Sequence, residues 1–332
     1  MAAPRLTTSG IGRAIWGVLA PLVGLGVVLG IILAYQVFFK SESPFFSAFR
    51  VQLVAKQTAI VAMGALGMTV VITSGGIDLS AGSLLALTSV ALAVALRDGL
   101  NPIAAVVVVL GVGIVAGTIN GLLITRLRLV PFIVTLGTML IYRGLAEQVS
   151  GQQKVQAPAP DWLATLLDTP DPDSYQLVCT GVWIVLALAL LMTAVMRYTV
   201  FGRYVFAVGS NEVAARLCGI QVPRIKVAVY ALAGLFTALA GMLAFNDLNS
   251  QGSPTVGIGL ELDIIAAVVI GGGSLRGGRG SILGSIIGAL TVSTLRTGCV
   301  YAGVSDPVQK MVIGGIIIAA VTVDQLTHRS RD

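Results

Sequence analysis

The side chains best placed for chemistry are acidic and hydroxyl groups that lie beside clusters of glycine. Asp78 and Ser80 follow Gly75 and Gly76 and stand just before a short apolar stretch. A carboxylate in this position can accept the free N–H groups at a helix start, or it can hold a solute or a proton. Both roles use the same helix-end chemistry, so both stay open, with capping the favoured one.

A second glycine cluster nearly matches a phosphate-binding loop. Residues 273–280 fit the pattern G-x-x-x-x-G-K-[ST] except at its last two positions, where Arg279 replaces the lysine and Gly280 replaces the hydroxyl that binds Mg²⁺. We therefore predict no nucleotide site and no ATP hydrolysis by this chain. The three cysteines form no C-x-x-C motif and the single histidine lies in the C-terminal tail, so no metal site, cofactor or catalytic residue is predicted.

The composition places these residues in a membrane. Of the 332 residues, 56% are apolar and 11% are charged, and the mean hydropathy is +0.93. A soluble domain usually has about a quarter of its residues charged, so a water-soluble globule is excluded. We predict one all-α polytopic membrane domain over residues 1–332. The net charge of +6 comes from basic residues scattered through short segments, which argues against nucleic-acid binding.

Apolar stretches predict about ten transmembrane helices with both termini in the cytoplasm. Most of the 21 Lys and Arg residues then lie on the cytoplasmic side, as the positive-inside rule requires. The first stretch is too long for a signal peptide, so we expect it to be retained as a helix. The predicted spans are residues 14–39, 51–73, 83–96, 102–124, 131–147, 177–196, 227–245, 262–273, 280–295 and 308–323.

Two of these spans, 83–96 and 262–273, are too short to cross about 30 Å of hydrocarbon, which takes roughly 20 helical residues. Each adjoins a glycine cluster, which predicts broken or re-entrant helices. Irregular backbone at membrane depth is tolerated where protein or a water-filled cavity satisfies its polar groups, so these clusters are predicted to line a transport pathway. The candidate pathway residues are Thr73, Gly75, Gly76, Asp78, Ser80, Ser83, Gly271, Gly272 and Gly273.

Other charged residues admit structural as well as functional interpretations. Glu261 and Asp263 begin the eighth span from the outer face, where they either cap a helix or meet a solute or soluble partner, and the residues do not decide between these. Arg143 and Glu147 stand four residues apart, a spacing that favours an ion pair.

Small residues also recur at every fourth position, which lets helix backbones approach closely. These patterns favour packing inside the chain and leave dimerisation open. They are Gly113, Gly117 and Gly121, and Gly280, Gly284 and Gly288.

The predicted topology leaves two long loops between cytoplasmic tails at residues 1–13 and 324–332. Residues 150–176 form a periplasmic loop with several aspartates and a short amphipathic helix over 161–167. Residues 197–226 form a cytoplasmic loop that carries five basic residues against one glutamate. A cytoplasmic partner is expected to dock there.

Three blocks of sequence together resemble the membrane-spanning permease of bacterial ABC importers of the ribose type. The blocks are residues 68–83 (MTVVITSGGIDLSAGS), 201–220 (FGRYVFAVGSNEVAARLCGI) and 261–278 (ELDIIAAVVIGGGSLRGG). They stand in the family's order and span most of the chain. The resemblance implies a permease in the bacterial inner membrane, surrounded by lipid, that imports a monosaccharide or a similar small polar solute.

The same resemblance implies partner subunits. They are a separate ABC ATPase, a periplasmic or lipid-anchored solute-binding protein, and a second permease copy or a paralogue. The second block resembles the segment that couples such a permease to its ATPase, and a short helix over 212–217 ended by Gly219 would make a compact knob. The candidate coupling residues are Gly202, Arg203, Asn211, Glu212, Ala214, Ala215, Arg216 and Gly219.

Two rival functions come from other classes. In an ion-coupled secondary transporter, Asp78 and another ionisable group would couple the solute to H⁺ or Na⁺, but the sequence has few charges within its spans to do so. In a structural membrane protein, broken glycine-rich helices would serve no purpose. Lys56 in the second span, and Gly273, Arg276 and Arg279 in the third block, depart from the family's usual pattern and could affect solute choice or packing.

Overall fold

The computed structural model describes residues 8–38, 44–168 and 178–329. Within these ranges the chain folds into thirteen helices and one antiparallel pair of two-residue strands. The helices are α1 (Thr8–Phe38), α2 (Ala48–Thr73), α3 (Ala81–Arg97), α4 (Pro102–Arg126), α5 (Pro131–Ser150), α6 (Asp161–Ala164), α7 (Thr180–Tyr198), α8 (Val200–Ser210), α9 (Glu212–Leu217), α10 (Val222–Asp247), α11 (Leu260–Ile270), α12 (Ile282–Tyr301) and α13 (Asp306–Arg329). Strand β1 (Val155–Gln156) pairs with β2 (Gln251–Gly252).

The structure confirms an all-α polytopic membrane protein. Each of the ten predicted spans contains a helix, and six helices are long and apolar enough to cross a membrane: α1 from Pro21 onward, α2, α4, α7, α10 and α12. Helix α3 is apolar but has only 17 residues. Helices α1 and α13 extend into the predicted tails, because polar residues at a helix end can continue the helix outside the hydrocarbon. Part of the acidic loop, including Asp171 and Asp173, lies outside the described residues.

The centre of the bundle is α2, in which every residue from Ala59 to Thr73 is buried. Its apolar side chains point in all directions, as expected for a helix surrounded by other helices. Helices α7, α10, α11 and α12 pack around it. Helices α4, α5 and α7 instead expose rows of large apolar side chains, including Val107, Leu140 and Leu190, which suits contact with lipid.

Close backbone contact joins α4 to α10. A Cβ atom at Gly113 would lie 2.5 Å from the Gly234 carbonyl oxygen, and one at Gly121 would lie 2.7 Å from Val227 Cα. A Cβ atom at Gly117 would overlap the Tyr230 carbonyl oxygen. The prediction that this glycine series packs within the chain is therefore confirmed. Lipid tails are as apolar as the side chains, so such close van der Waals packing is what holds helices together in a membrane.

A buried amide anchors the short helix α6 and the residues after it. Asn246, at the end of α10, accepts a hydrogen bond from the Leu167 N–H at 2.6 Å through Oδ1. Its Nδ2 donates to the Leu163 carbonyl at 3.0 Å and to the Ala164 carbonyl. The predicted amphipathic helix is thus present at 161–164, and a side chain from another span fixes its position.

The variant Gly117→Ala is expected to lower the thermal stability of the protein in detergent. The new methyl group would push α4 away from α10, and overpacking of this kind typically costs about 1–3 kcal/mol. Gly111→Ala is the matched control in the same helix, because nothing lies within 4 Å of a Cβ at that position. Thermal unfolding of both variants is followed by circular dichroism. Equal unfolding midpoints would show that α4 and α10 accommodate the methyl group without loss of stability.

Candidate functional site

Helices end at both glycine clusters. Helix α2 stops at Thr73, and residues 74–80 form a turn before α3 begins. Helix α11 stops at Ile270, and residues 271–281 form a longer loop before α12 begins. Gly75 has a φ of 83°, and Gly272 has a φ of 89°, in the left-handed region that side chains other than glycine rarely adopt. Glycine at these positions lets the chain turn where the helices stop.

The two clusters, almost 200 residues apart in sequence, meet in space. The Gly278 N–H donates to the Thr73 carbonyl at 2.9 Å. A Cβ atom at Gly277 would lie 2.9 Å from Gly75 Cα, and one at Gly280 would overlap the Thr73 hydroxyl. The breaks in α2–α3 and in α11–α12 therefore share one region of the fold.

Asp78 holds the turn that starts α3. Its side chain is buried, with only 2% of the residue exposed, and Oδ1 accepts hydrogen bonds from the Ser80 N–H at 2.9 Å and the Ser80 hydroxyl at 2.6 Å. Ser80 is the N-cap residue of α3, so the carboxylate acts from two positions before the cap. This geometry favours a structural role at the helix start, in line with the capping interpretation, although through Ser80 rather than through the first helical N–H groups.

A buried polar chain continues from Ser80 to two neighbouring helices. Asn120 in α4 donates from Nδ2 to the Ser80 hydroxyl oxygen at 2.9 Å. The Tyr142 hydroxyl in α5 lies 3.3 Å from Asn120 Oδ1 and 2.9 Å from the Ala116 carbonyl oxygen. The sequence analysis missed both residues. A lone amide in the apolar span 102–124 is the signal that could have pointed to Asn120.

Side chains also satisfy the irregular backbone between α2 and α3. The Ile77 carbonyl accepts a hydrogen bond from the Thr135 hydroxyl at 3.1 Å and from the Tyr230 hydroxyl at 3.4 Å. The Ser83 hydroxyl donates to the Ser80 carbonyl at 2.9 Å. Protein groups therefore replace the water that the membrane excludes.

Most of the predicted pathway residues are buried within the chain. The buried ones are Thr73, Gly76, Asp78, Ser80, Ser83, Gly271 and Gly273, whereas Gly75 and Gly272 are exposed. The second glycine cluster reaches the first through Gly277, Gly278 and Gly280 rather than through the predicted residues 271–273. The part of the predicted residues in a transport pathway stays a prediction.

The two acidic residues of α11 have different surroundings. The Asp263 carboxylate is buried, and Arg296 Nη2 of α12 lies 2.9 Å from its Oδ2. Glu261 is partly buried, and its Oε2 is so close to the start of α3 that a Cβ at Gly82 would overlap it. Helix α11 therefore begins beside the first turn of α3, and Asp263 is committed to an ion pair within the chain.

Arg143 does not form the predicted ion pair with Glu147. Its Nη1 donates to the Val256 carbonyl at 3.0 Å and to the Pro254 carbonyl. These carbonyls belong to the segment between β2 and α11. This segment is not helical, so its backbone groups lack the hydrogen bonds that a helix would provide. The guanidinium supplies donors to this segment, and sequence spacing along α5 gave no sign of it.

The predicted cytoplasmic loop folds into α8 and α9. The Thr199 hydroxyl caps α8 by accepting from the Gly202 N–H at 3.2 Å, and Gly202 packs against the Met196 backbone. The Asn211 side chain caps α9 by accepting from the Ala214 N–H at 2.9 Å. Gly219 follows α9 with a φ of 83°. The expected short helix over 212–217, ended by Gly219, is confirmed.

The Glu212 carboxylate ties α9 to α10. It pairs with Lys226 Nζ at 2.6 Å and with Arg216 Nη2 at 2.9 Å. The hydrogen bond from Lys226, with the charges of Lys226 and Arg216, holds the pKa of the Glu212 carboxyl below its usual range. Because the folded-state pKa is lowered, this stabilisation is present at neutral pH and is lost only as the pH falls below the usual glutamate range, near about pH 4.

With Glu212 engaged inside the chain, α9 presents an apolar face to solvent. Val213 is 70% exposed and Leu217 is 84% exposed, and they stand one helical turn apart. Ala215 is buried on the opposite side, while Ala214 and Arg216 are exposed. Arg203 is also exposed on α8. The sequence analysis missed Val213 and Leu217, although two apolar residues four apart in a basic loop are a recognisable signal.

Comparison with known proteins gives the site its context. The family model described as "Branched-chain amino acid transport system / permease component" matches residues 50–321. The ribose import permease protein RbsC of Bacillus subtilis (strain 168) is 39% identical over 307 residues, covering 91% of this chain and 92% of that protein. RbsC of Escherichia coli (strain K12) is 39% identical over 279 residues, covering 82% and 84%. The fructose import permease protein FrcC of Rhizobium meliloti is 38% identical over 308 residues, covering 92% and 82%.

No solved structure matches the chain significantly. The matched residues 50–321 include both helix breaks and the whole of α8 and α9. The comparisons favour an ABC permease over an ion-coupled transporter and agree with a multi-pass protein of the inner membrane. The chain belongs to the family of ABC importer permease components, in its ribose-type branch.

Proposed function

We propose that this permease forms the translocation pathway for a monosaccharide, with ATP hydrolysed by a separate subunit. The single observation that carries the substrate class is the match of 38–39% identity, over most of the chain, to relatives named for ribose and fructose import. The family description names branched-chain amino acids, whereas these relatives are named for sugars. Individual relatives are the closer guide to the solute.

The proposed topology has ten spans with both termini in the cytoplasm. In this arrangement α9 and the α2–α3 and α11–α12 breaks lie toward the cytoplasmic half, and the β1–β2 pair lies toward the periplasm. The excess of Lys and Arg in the segments then assigned to the cytoplasm supports this orientation. A periplasmic or lipid-anchored binding protein would deliver the sugar to the outer face of this topology.

The ATPase is proposed to bind the exposed face of α9. Val213 and Leu217 supply an apolar contact, and exposed Arg203 on α8 and Arg216 on α9 add positive charge to the same loop. Glu212 holds α9 against α10 through Lys226, so its role in coupling is to position the helix. Asn211 and Gly219 fix the two ends of the knob.

The two helix breaks are proposed to line the pathway at the interface with a second permease copy or a paralogue. Their backbone interrupts the helices, and Gly75 and Gly272 expose it at a surface that a partner could complete. ATP binding in the partner subunits would then shift the pathway between its outward and inward openings, through a difference in contact free energy between the two states.

Uptake into proteoliposomes tests the proposed function. The permease is reconstituted with the ABC ATPase that copurifies with it and with the cognate binding protein, and uptake of labelled ribose, fructose and leucine is measured with and without ATP. ATP-dependent uptake of a sugar but not of leucine is expected. Uptake of leucine alone would contradict the substrate class, and uptake driven by an ion gradient without ATP would contradict the ABC mechanism.

The double variant Val213→Ala/Leu217→Ala is expected to weaken binding of the ATPase at least tenfold. Truncating central apolar contacts of an interface typically costs about 2 kcal/mol or more. Leu100→Ala is the control, because Leu100 is also exposed and lies in the loop between α3 and α4, at the opposite end of α3 from the helix breaks. The affinity of the ATPase for each variant is measured by surface plasmon resonance in detergent. Unchanged binding by the double variant would show that α9 is not part of the interface.

A charge swap separates an internal role of Glu212 from direct contact with the ATPase. Glu212→Lys breaks the pair with Lys226 and is expected to release the ATPase from a folded permease. Adding Lys226→Glu restores an ion pair of reversed sign and should recover most of the binding, because α9 is again held against α10. Copurification of the ATPase is the measurement. If the swapped pair fails to rescue while the permease stays folded, Glu212 contacts the partner itself.

For Asp78, the amide variant tests whether the charge matters. Asp78→Asn keeps an oxygen that can accept from the Ser80 N–H and hydroxyl, so transport is expected to stay within about an order of magnitude of the wild type. Asp78→Ala loses the acceptor and should lower both thermal stability and transport. Loss of all uptake in a well-folded Asp78→Asn protein would show instead that the ionised carboxylate takes part in transport.

A further inference from the structure

The end of α8 packs directly on both helix breaks. A Cβ atom at Gly209 would overlap the Thr73 carbonyl oxygen and would lie 2.6 Å from the Gly278 backbone nitrogen. A Cβ atom at Gly277 would lie 2.6 Å from the Gly209 carbonyl oxygen and 2.9 Å from Gly75 Cα. Three segments thus meet here, and we call residues 73–75, 209–210 and 277–278 the glycine junction.

Backbone meets backbone throughout the glycine junction. The Gly278 N–H donates to the Thr73 carbonyl at 2.9 Å, across the two breaks. A Cβ at Gly278 would lie 2.9 Å from Ser210 Cα. Side chains can change rotamer and so absorb a displacement, but backbone atoms in contact cannot. A shift of one segment toward the others must therefore displace them.

The three segments of the glycine junction lead into different parts of the protein. Ser210 is separated from α9 by Asn211 alone, so the junction sits directly behind the helix proposed to bind the ATPase. Thr73 ends α2, and the turn after it leads through Asp78 into α3. Gly277 and Gly278 lie in the loop between α11 and α12.

We propose that the glycine junction moves as one rigid unit and carries a displacement of α9 to both helix breaks at once. Gly209, Gly277 and Gly75 are then positioning residues for transport, since they set the geometry of the breaks without touching the solute. This inference rests on the proposed function, in which α9 receives the motion of the ATPase. It adds that both helix breaks move together when α9 is displaced.

A disulfide across the glycine junction tests its rigidity. A Cβ at Gly278 would lie 3.2 Å from Ser210 Cβ, close to the range of about 3.5–4.5 Å for disulfides. Ser210→Cys and Gly278→Cys are combined in a chain whose cysteines Cys179, Cys218 and Cys299 are replaced by alanine. The assembled transporter is oxidised without nucleotide and again with ATP bound to a hydrolysis-deficient ATPase.

A rigid junction predicts the same rate of disulfide formation in both nucleotide states, and sugar uptake by the oxidised protein within about twofold of the reduced protein. A tenfold difference in rate between the states, or a block of uptake that a reducing agent reverses, would show that the segments move apart and would overturn the proposal. ATP-dependent uptake by the cysteine-free parent in the same preparation reports separately on the proposed function.

A second variant tests the coupling of ATP hydrolysis to sugar transport. Gly209→Ala forces the Thr73 carbonyl and the Gly278 N–H apart, so the ATPase is expected to bind and hydrolyse ATP while the sugar transported per ATP falls at least tenfold. Gly137→Ala in α5 is the control, because nothing lies within 4 Å of a Cβ there. An unchanged ratio of transport to hydrolysis in a folded Gly209→Ala protein would contradict the proposal, whereas absence of ATPase binding to the parent would contradict the proposed function instead.

Discussion

The satisfaction of backbone polar groups without water governs the rest of this structure. An unbroken helix meets this requirement by itself, but the backbone between α2 and α3 and between α11 and α12 is not helical, so each free N–H or C=O there needs another partner. The Ser80 N–H finds a local partner in Asp78. Distant side chains supply others: Thr135 and Tyr230 donate to the Ile77 carbonyl, and Arg143 donates to carbonyls of the segment before α11. Several buried polar side chains of the bundle therefore lie at these interruptions.

The second constraint is contact distance. Where polar side chains do not bridge two segments, glycine lets their backbones touch, as between α4 and α10 and at the glycine junction. In lipid there is no hydrophobic gain from pressing two apolar helices together, so stability depends on the fit of the surfaces. Glycine is therefore a packing requirement at these crossings, as at Gly113, Gly117 and Gly209.

The positions of the helices were easier to predict from the sequence than the contacts between them. The spans 51–73, 102–124 and 280–295 coincide with α2, α4 and α12 to within a few residues, because apolar length is a local property. The short helix α9 and its stop at Gly219 were also predictable, since cap residues lie next to the helix they end. The pairing of Arg143 was wrong, because its partners lie more than a hundred residues away and carry no charge. The contact of Gly209 with both glycine clusters was equally invisible, since three segments far apart in sequence create it.

The internal pairing of Glu212 has a consequence for how the transporter is put together. Because Lys226 and the Asn211 cap hold α9 in shape, the proposed docking of the ATPase on this helix would cost little further conformational entropy. The same rigidity leaves Val213 and Leu217 in water on any permease made ahead of its partner. If the ATPase docks on α9 as proposed, an unassembled copy would differ from the finished complex by a small fixed hydrophobic patch in contact with water.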